Sequence, residues 1–156
     1  MQASGQTVLA IRRVLASQGY VDIPSHGVSM FPLIRTGNIC RFEPFSPEYL
    51  RVGDILLYVS DNGVLVGHRY HRQVEDRGQV RFICKGDSQE QDDPPLRKEQ
   101  LIGRMISIRK GSVELRVDGL LLAGWGKIMI RLPFVSTCIH LYLRAVRKLR
   151  GMKAVT

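Results

Sequence analysis

Acidic residues are missing from the last 37 positions of this 156-residue chain. All 14 Asp and Glu lie before Leu120, while Lys127, Arg131, Arg144, Arg147, Lys148, Arg150 and Lys153 follow it. Of the formal net charge of +9, +7 is therefore concentrated in one segment. Such a segment either meets an anionic surface, lipid headgroups or nucleic acid, or is a solvated helix face. Cysteines are few and odd in number: Cys40, Cys84 and Cys138 form no C-x-x-C pair. That pattern excludes a zinc knuckle or a dithiol redox motif, and three buried free thiols in apolar stretches are predicted. Uninterrupted apolar runs are also lacking. The longest, Leu120 to Leu143, contains Lys127, Arg131, Pro133 and His140. Each cation would cost about 2.5–3.5 kcal/mol at a bilayer centre, so lying on a membrane is compatible with this run and spanning one is not. The N-terminus has no basic region followed by an apolar run, and Arg12 and Arg13 break what apolar character it has, so no secretory signal is expected. No repeat, helix-turn-helix or aromatic RNA-binding signature is visible. Nucleic acid then rests on charge alone and is not expected.

What is present suits one domain with a hydrophobic core. Val8, Ile11 and Leu15 recur at helical spacing between Thr7 and Gln18, with Gly19 as C-cap. From about Asp22 the pattern changes to short runs cut by Gly and Pro. Strands are predicted at Ile39–Phe42, Asp54–Val59, Val64–Gln73, Val80–Cys84, Ile102–Ile108 and Val113–Val117. Asp61-Asn62-Gly63 reads as a hairpin turn, with further turns at Asp76-Arg77-Gly78 and Lys110-Gly111. After Asp118 helical spacing returns. Pro133 can open a last helix, in which Val135, Cys138, Ile139, Tyr142, Val146 and Leu149 share a face before Gly151. The expected organisation is mainly β: an amphipathic helix over 1–20, a β-rich domain over 21–118 and a basic helical tail over 119–156.

Three elements carry chemistry. In Gly27-Val28-Ser29-Met30-Phe31-Pro32 a serine sits between Gly and Pro, where a turn can present a hydroxyl and backbone N–H donors to one carbonyl. In Val64-Leu65-Val66-Gly67-His68-Arg69 a histidine follows 39 residues after Ser29. A hydroxyl needs such a base to become nucleophilic, and a pKa near ~6.5 suits the task. In Lys85-Gly86-Asp87, followed by Asp92-Asp93, a carboxylate could accept the base's N–H and fix its tautomer. Asp87 and Asp93 are both candidates. His26 and His71 are competing bases. His26 reads as a loop residue, and His71 should face the other side of a strand from His68.

In order and spacing, Gly-x-Ser-Met-x-Pro, Val-Gly-Asp-Ile at 52–55, Gly-His-Arg and Lys-Gly-Asp…Asp-Asp resemble the type I signal peptidases from Gly27 to about Ile108. The resemblance is to the branch of archaea, the eukaryotic secretory pathway and sporulating bacteria, in which histidine replaces a lysine base. It implies the coiled β-sheet fold shared with self-cleaving repressors. It also implies a serine endopeptidase in which Ser29 is nucleophile, His68 base, and Asp87 or Asp93 its acidic partner. Gly27, Met30 and Pro32 would line the substrate site, no metal or organic cofactor is implied, and the substrate would be an extended peptide or precursor protein with small residues near the cut. Two departures stand out. Family members carry a transmembrane helix before the serine, which Arg12 and Arg13 rule out here, and many have Gly-Asp where this chain has Gly37-Asn38. The expected location is cytoplasmic or peripherally membrane-associated, with membrane contact through the basic tail. The alternatives are a self-processing repressor-like peptidase and a non-catalytic basic binding module.

Overall fold

Seven strands form one antiparallel sheet in the computed structural model, which describes residues 5–117, 119–132 and 134–153. In chain order they are β1 (Val21–Pro24), β2 (Ile39–Glu43), β3 (Ile55–Val59), β4 (Leu65–Asp76), β5 (Gln79–Lys85), β6 (Leu101–Lys110) and β7 (Val113–Arg116). The spatial order is β1-β2-β6-β3-β4-β5, with β7 also paired to β6. Helix α1 (Gly5–Gln18) precedes the sheet; α2 (Leu120–Arg131) and α3 (Phe134–Lys153) follow it. The mainly β class with helices at both ends is as the sequence predicts. The strand missed is β1, a four-residue element ending in Pro24 and too short to show a period.

Each predicted strand appears within a few residues of its expected bounds, because the turn chemistry fixes where pairing stops. The Ser60 N–H bonds to the Val64 carbonyl and the Gly63 N–H to the Ser60 carbonyl, closing the β3–β4 connection around Asp61-Asn62-Gly63. Between β4 and β5, Arg77 and Gly78 both take positive φ (51° and 74°), the two-residue turn whose twist matches a hairpin. Strand β6 is shared along its length: its first residues pair with β3, its last with β7, and β2 also runs beside it.

The sheet is covered on both sides. Ile55 and Leu57 join Cys40, Phe42, Met105 and Ile108 in a core closed by Ile11 and Leu15 of α1. Leu56 and Tyr58 join Tyr70, Phe82, Cys84, Leu96 and Leu101 in a second cluster. Strand β3 is thus apolar throughout, with each fully buried aliphatic side chain contributing about 1.5–3 kcal/mol. Arg12 of α1 donates to the Glu99 and Leu101 carbonyls, tying the helix to the start of β6.

Two expectations are corrected. Cys40 and Cys84 are buried free thiols, their pKa values raised chiefly by burial, that of Cys40 to about 12. Cys138, by contrast, lies on the exposed side of α3. Helix α3 also runs through Gly151 instead of ending before it. The helix opening expected at Pro133 falls on a position outside the described residues.

Candidate active site

The loop between β1 and β2 carries Ser29, and its ends are closed by Ser25, whose N–H donates to the Asn38 carbonyl and whose Oγ donates to the Arg35 carbonyl. Gly27 adopts φ of +85°, a left-handed conformation that a side chain would strain, and it turns the chain just ahead of the serine. Ser29 Oγ lies 2.9 Å from His68 Nε2, and His68 Nδ1 lies 2.7 Å from Asp93 Oδ2. An ionised carboxylate only accepts, so Nδ1 carries the proton and Nε2 is left to accept from the serine hydroxyl.

Tyr58, unremarked in the sequence, completes this chain. Its hydroxyl donates to Asp93 Oδ2 at 2.7 Å and stands 3.3 Å from His68 Nδ1. Burial first, then the Asp93 charge, raise the phenol well above its ordinary pKa and keep it a donor. The register explains the meeting. Leu56 is opposite His68, so Tyr58, two residues on, shares its face. Only alternation along β3 hinted at this, and a tyrosine in an apolar strand reads as core.

Of the two candidate acids, Asp93 reaches His68 and Asp87 does not. Asp87 is paired in bidentate fashion with Arg69, at 2.8 and 2.7 Å, and also accepts from Trp125 Nε1 at 2.8 Å. Arg69 and Asp87 are each 2% exposed. The third guanidinium nitrogen donates to the Gly53 carbonyl at 2.8 Å, and Gly126 of α2 packs against it. The Val-Gly-Asp-Ile, His-Arg and Lys-Gly-Asp motifs thus share one buried junction, onto which α2 is seated.

The segment around Asp87 also holds the serine loop. Ser88 donates its N–H to the Ser29 carbonyl and its Oγ–H to the Val28 carbonyl, both at 2.8 Å. A Cβ on Gly86 would stand 2.8 Å from the Ser29 carbonyl oxygen, so only glycine permits this approach. Gln89 accepts the Gly86 N–H through Oε1, which leaves its amide N–H groups without an acceptor among the described residues. The Ser29 N–H likewise meets no described acceptor.

A cleft of about 270 Å³ opens at Ser29 and His68, walled by Ile23, Met30, Phe42, Leu57, Leu65 and Val66, with Gly27, Gly67 and Gln89 on its lining. Of the three residues expected beside substrate, Gly27 and Met30 line this cleft and Pro32 does not. His26 is an exposed loop residue on the same lining, and Ser29 bonds to His68 instead. His71 falls at the irregularity where β4–β5 pairing shifts between Tyr70 and Arg72, and burial lowers its pKa. No group of three or more metal-binding side chains occurs among the described residues.

No family model matches the chain. Among curated proteins it is similar to the signal peptidase complex catalytic subunit SEC11C of Homo sapiens, Mus musculus and Canis lupus familiaris, at 33% identity over 73 residues. The chain is a distant and partial relative of that subunit. The match covers 46% of this chain and only 38% of each relative's own length.

Proposed function

We propose that this chain is a serine endopeptidase of the signal peptidase kind that cleaves extended peptides or precursor proteins through an acyl-enzyme. The observation that carries the reading is the unbroken hydrogen-bonded series Ser29–His68–Asp93, opening on an apolar cleft. The partial similarity to a signal peptidase catalytic subunit supports it.

In this mechanism Ser29 Oγ attacks the scissile carbonyl as His68 Nε2 takes its proton. The imidazolium is stabilised by Asp93, which Tyr58 holds in place, and returns the proton to the leaving amine. Water, activated by the same base, then releases the acyl group. The Ser29 N–H and the Gln89 carboxamide are the donors offered to the oxyanion. Residues 21–118 supply the chemistry and the helices of 119–156 seat it through Trp125. Asp87 has a structural role, so the proposed acidic partner of the base is Asp93.

Cleavage of a peptide library, read by mass spectrometry, tests this with wild type, Ser29→Ala and His68→Ala. Loss of the same cuts in both variants, with folding unchanged by circular dichroism, is expected. Cuts that persist in Ser29→Ala would remove the serine from the mechanism. Both losses should reach background, and the double variant should be no worse than either single one, since the pair acts as a unit.

A further inference from the structure

The outward side of α3 has no partner among the described residues beyond one ring contact of Tyr142. Phe134, Leu141, Tyr142 and Leu149 expose between 55% and 61% of their surface, and Cys138 is exposed with them. Their spacing places them along one side of a helix. Round from them, Val135, Ile139, Leu143 and Val146 are half-buried. The helix therefore has two apolar faces, and the fold uses one. Lys148 and Arg144 are exposed beside the open face, Arg147 is exposed on the far side of the helix, and no acidic residue occurs after Asp118. No described helix is long and apolar enough to cross a membrane.

An exposed apolar stripe whose only charged neighbours on α3 are cations fits a helix lying in the plane of an anionic bilayer. A second copy of the chain is a poorer occupant, because a two-fold contact would bring two cation clusters together without an acid between them. Phosphates of a nucleic acid would satisfy the cations and leave Leu141 and Leu149 in water. We propose that α3 docks this protein on anionic membranes, with Leu141, Tyr142 and Leu149 in the headgroup–acyl boundary and Arg144 and Lys148 on the headgroups. Tyr142 stacks on Phe31, with ring centroids 6.0 Å apart and planes at 15°, so the docked face adjoins the Ser29 loop. The surface does not depend on the peptidase reading and is tested without turnover.

The test is flotation of the full chain with vesicles of phosphatidylcholine alone or mixed equally with phosphatidylglycerol, in about 0.15 M salt. Wild type should float with the anionic vesicles only. Leu141→Glu with Leu149→Glu should abolish flotation, and Arg144→Gln with Lys148→Gln should weaken it on the order of thirtyfold. All these side chains are exposed, so thermal unfolding should be unchanged in both variants. If wild type stays in the soluble fraction, or if both variant sets float as well as wild type, the proposal is wrong. Wild-type dimers in light scattering that Leu141→Glu with Leu149→Glu makes monomeric would overturn it in favour of a second copy.

Discussion

His68 and Arg69 are neighbours on β4, and each meets one aspartate from the segment following β5, yet the two pairs are built in opposite ways. Successive side chains of a strand point to opposite faces, so the two basic groups enter different surroundings. Arg69 finds Asp87, 2% exposed, with both carboxylate oxygens taken by the guanidinium and a further donor from Trp125. That junction is filled by its own partners. His68 finds Asp93, whose side chain is 15% exposed, and the series continues through its other nitrogen to a serine at a cleft. A closed junction holds elements together, whereas an open-ended one can pass a proton to a substrate. The same two residue types, a base and an acid, take different parts because of what surrounds them.

The comparison is broken most forcefully at Asp93. Asp93→Asn should lower peptidase turnover on the order of 10⁴-fold, because the amide can present the wrong hydrogen-bonding group to Nδ1, while the urea unfolding midpoint moves little. Asp87→Ala should do the reverse. It strands a buried guanidinium, costing about 3–5 kcal/mol in urea unfolding, and adding Arg69→Met should recover most of that loss. Equal effects of the two aspartate variants on both readouts would erase the distinction between the pairs.

Trp125→Phe keeps an aromatic ring and removes the donor to Asp87, with an expected loss of about 1.5–3 kcal/mol and faster amide exchange across α2. Unchanged exchange would mean that α2 is held without this contact. The smallest effect expected is at His71. Burial lowers its pKa from 6.5 in the folded state, so the unfolded chain binds the extra proton first. Stability from this group is therefore complete above about pH 6.5 and declines as pH falls toward the lowered value. His71→Gln should flatten that part of a stability-against-pH curve, and an unaltered slope would assign it to other groups.

How much was readable in advance follows the range of the interactions. Gly27, Ser29, His68 and Lys85-Gly86-Asp87 stand out as local motifs, and the turn at Asp61-Asn62-Gly63 fixes the β3–β4 connection from a few residues. The identity of the acid beside His68 was not legible. Asp87 and Asp93 are both carboxylates in one polar segment, and their separation depends on β5, β4 and α2 meeting around Arg69. Tyr58 was missed because a tyrosine in an apolar strand carries no local mark of a polar partner. Cys138 was misplaced because α3 is apolar on two sides, and spacing alone does not say which side the fold covers.

The sequence by itself determined the alternation of short strands and turns, the helices at both ends, the serine and histidine motifs and the one-sided charge of the last 37 residues. These depend on backbone preference, side-chain period and composition, which act over a few residues. Tertiary structure alone decided that Ser29, His68 and Asp93 meet, that Asp87 is taken up by Arg69, that Trp125 seats α2 and that one apolar face of α3 stays open. Those outcomes require strand register and burial, and both are set by contacts between residues far apart in the chain.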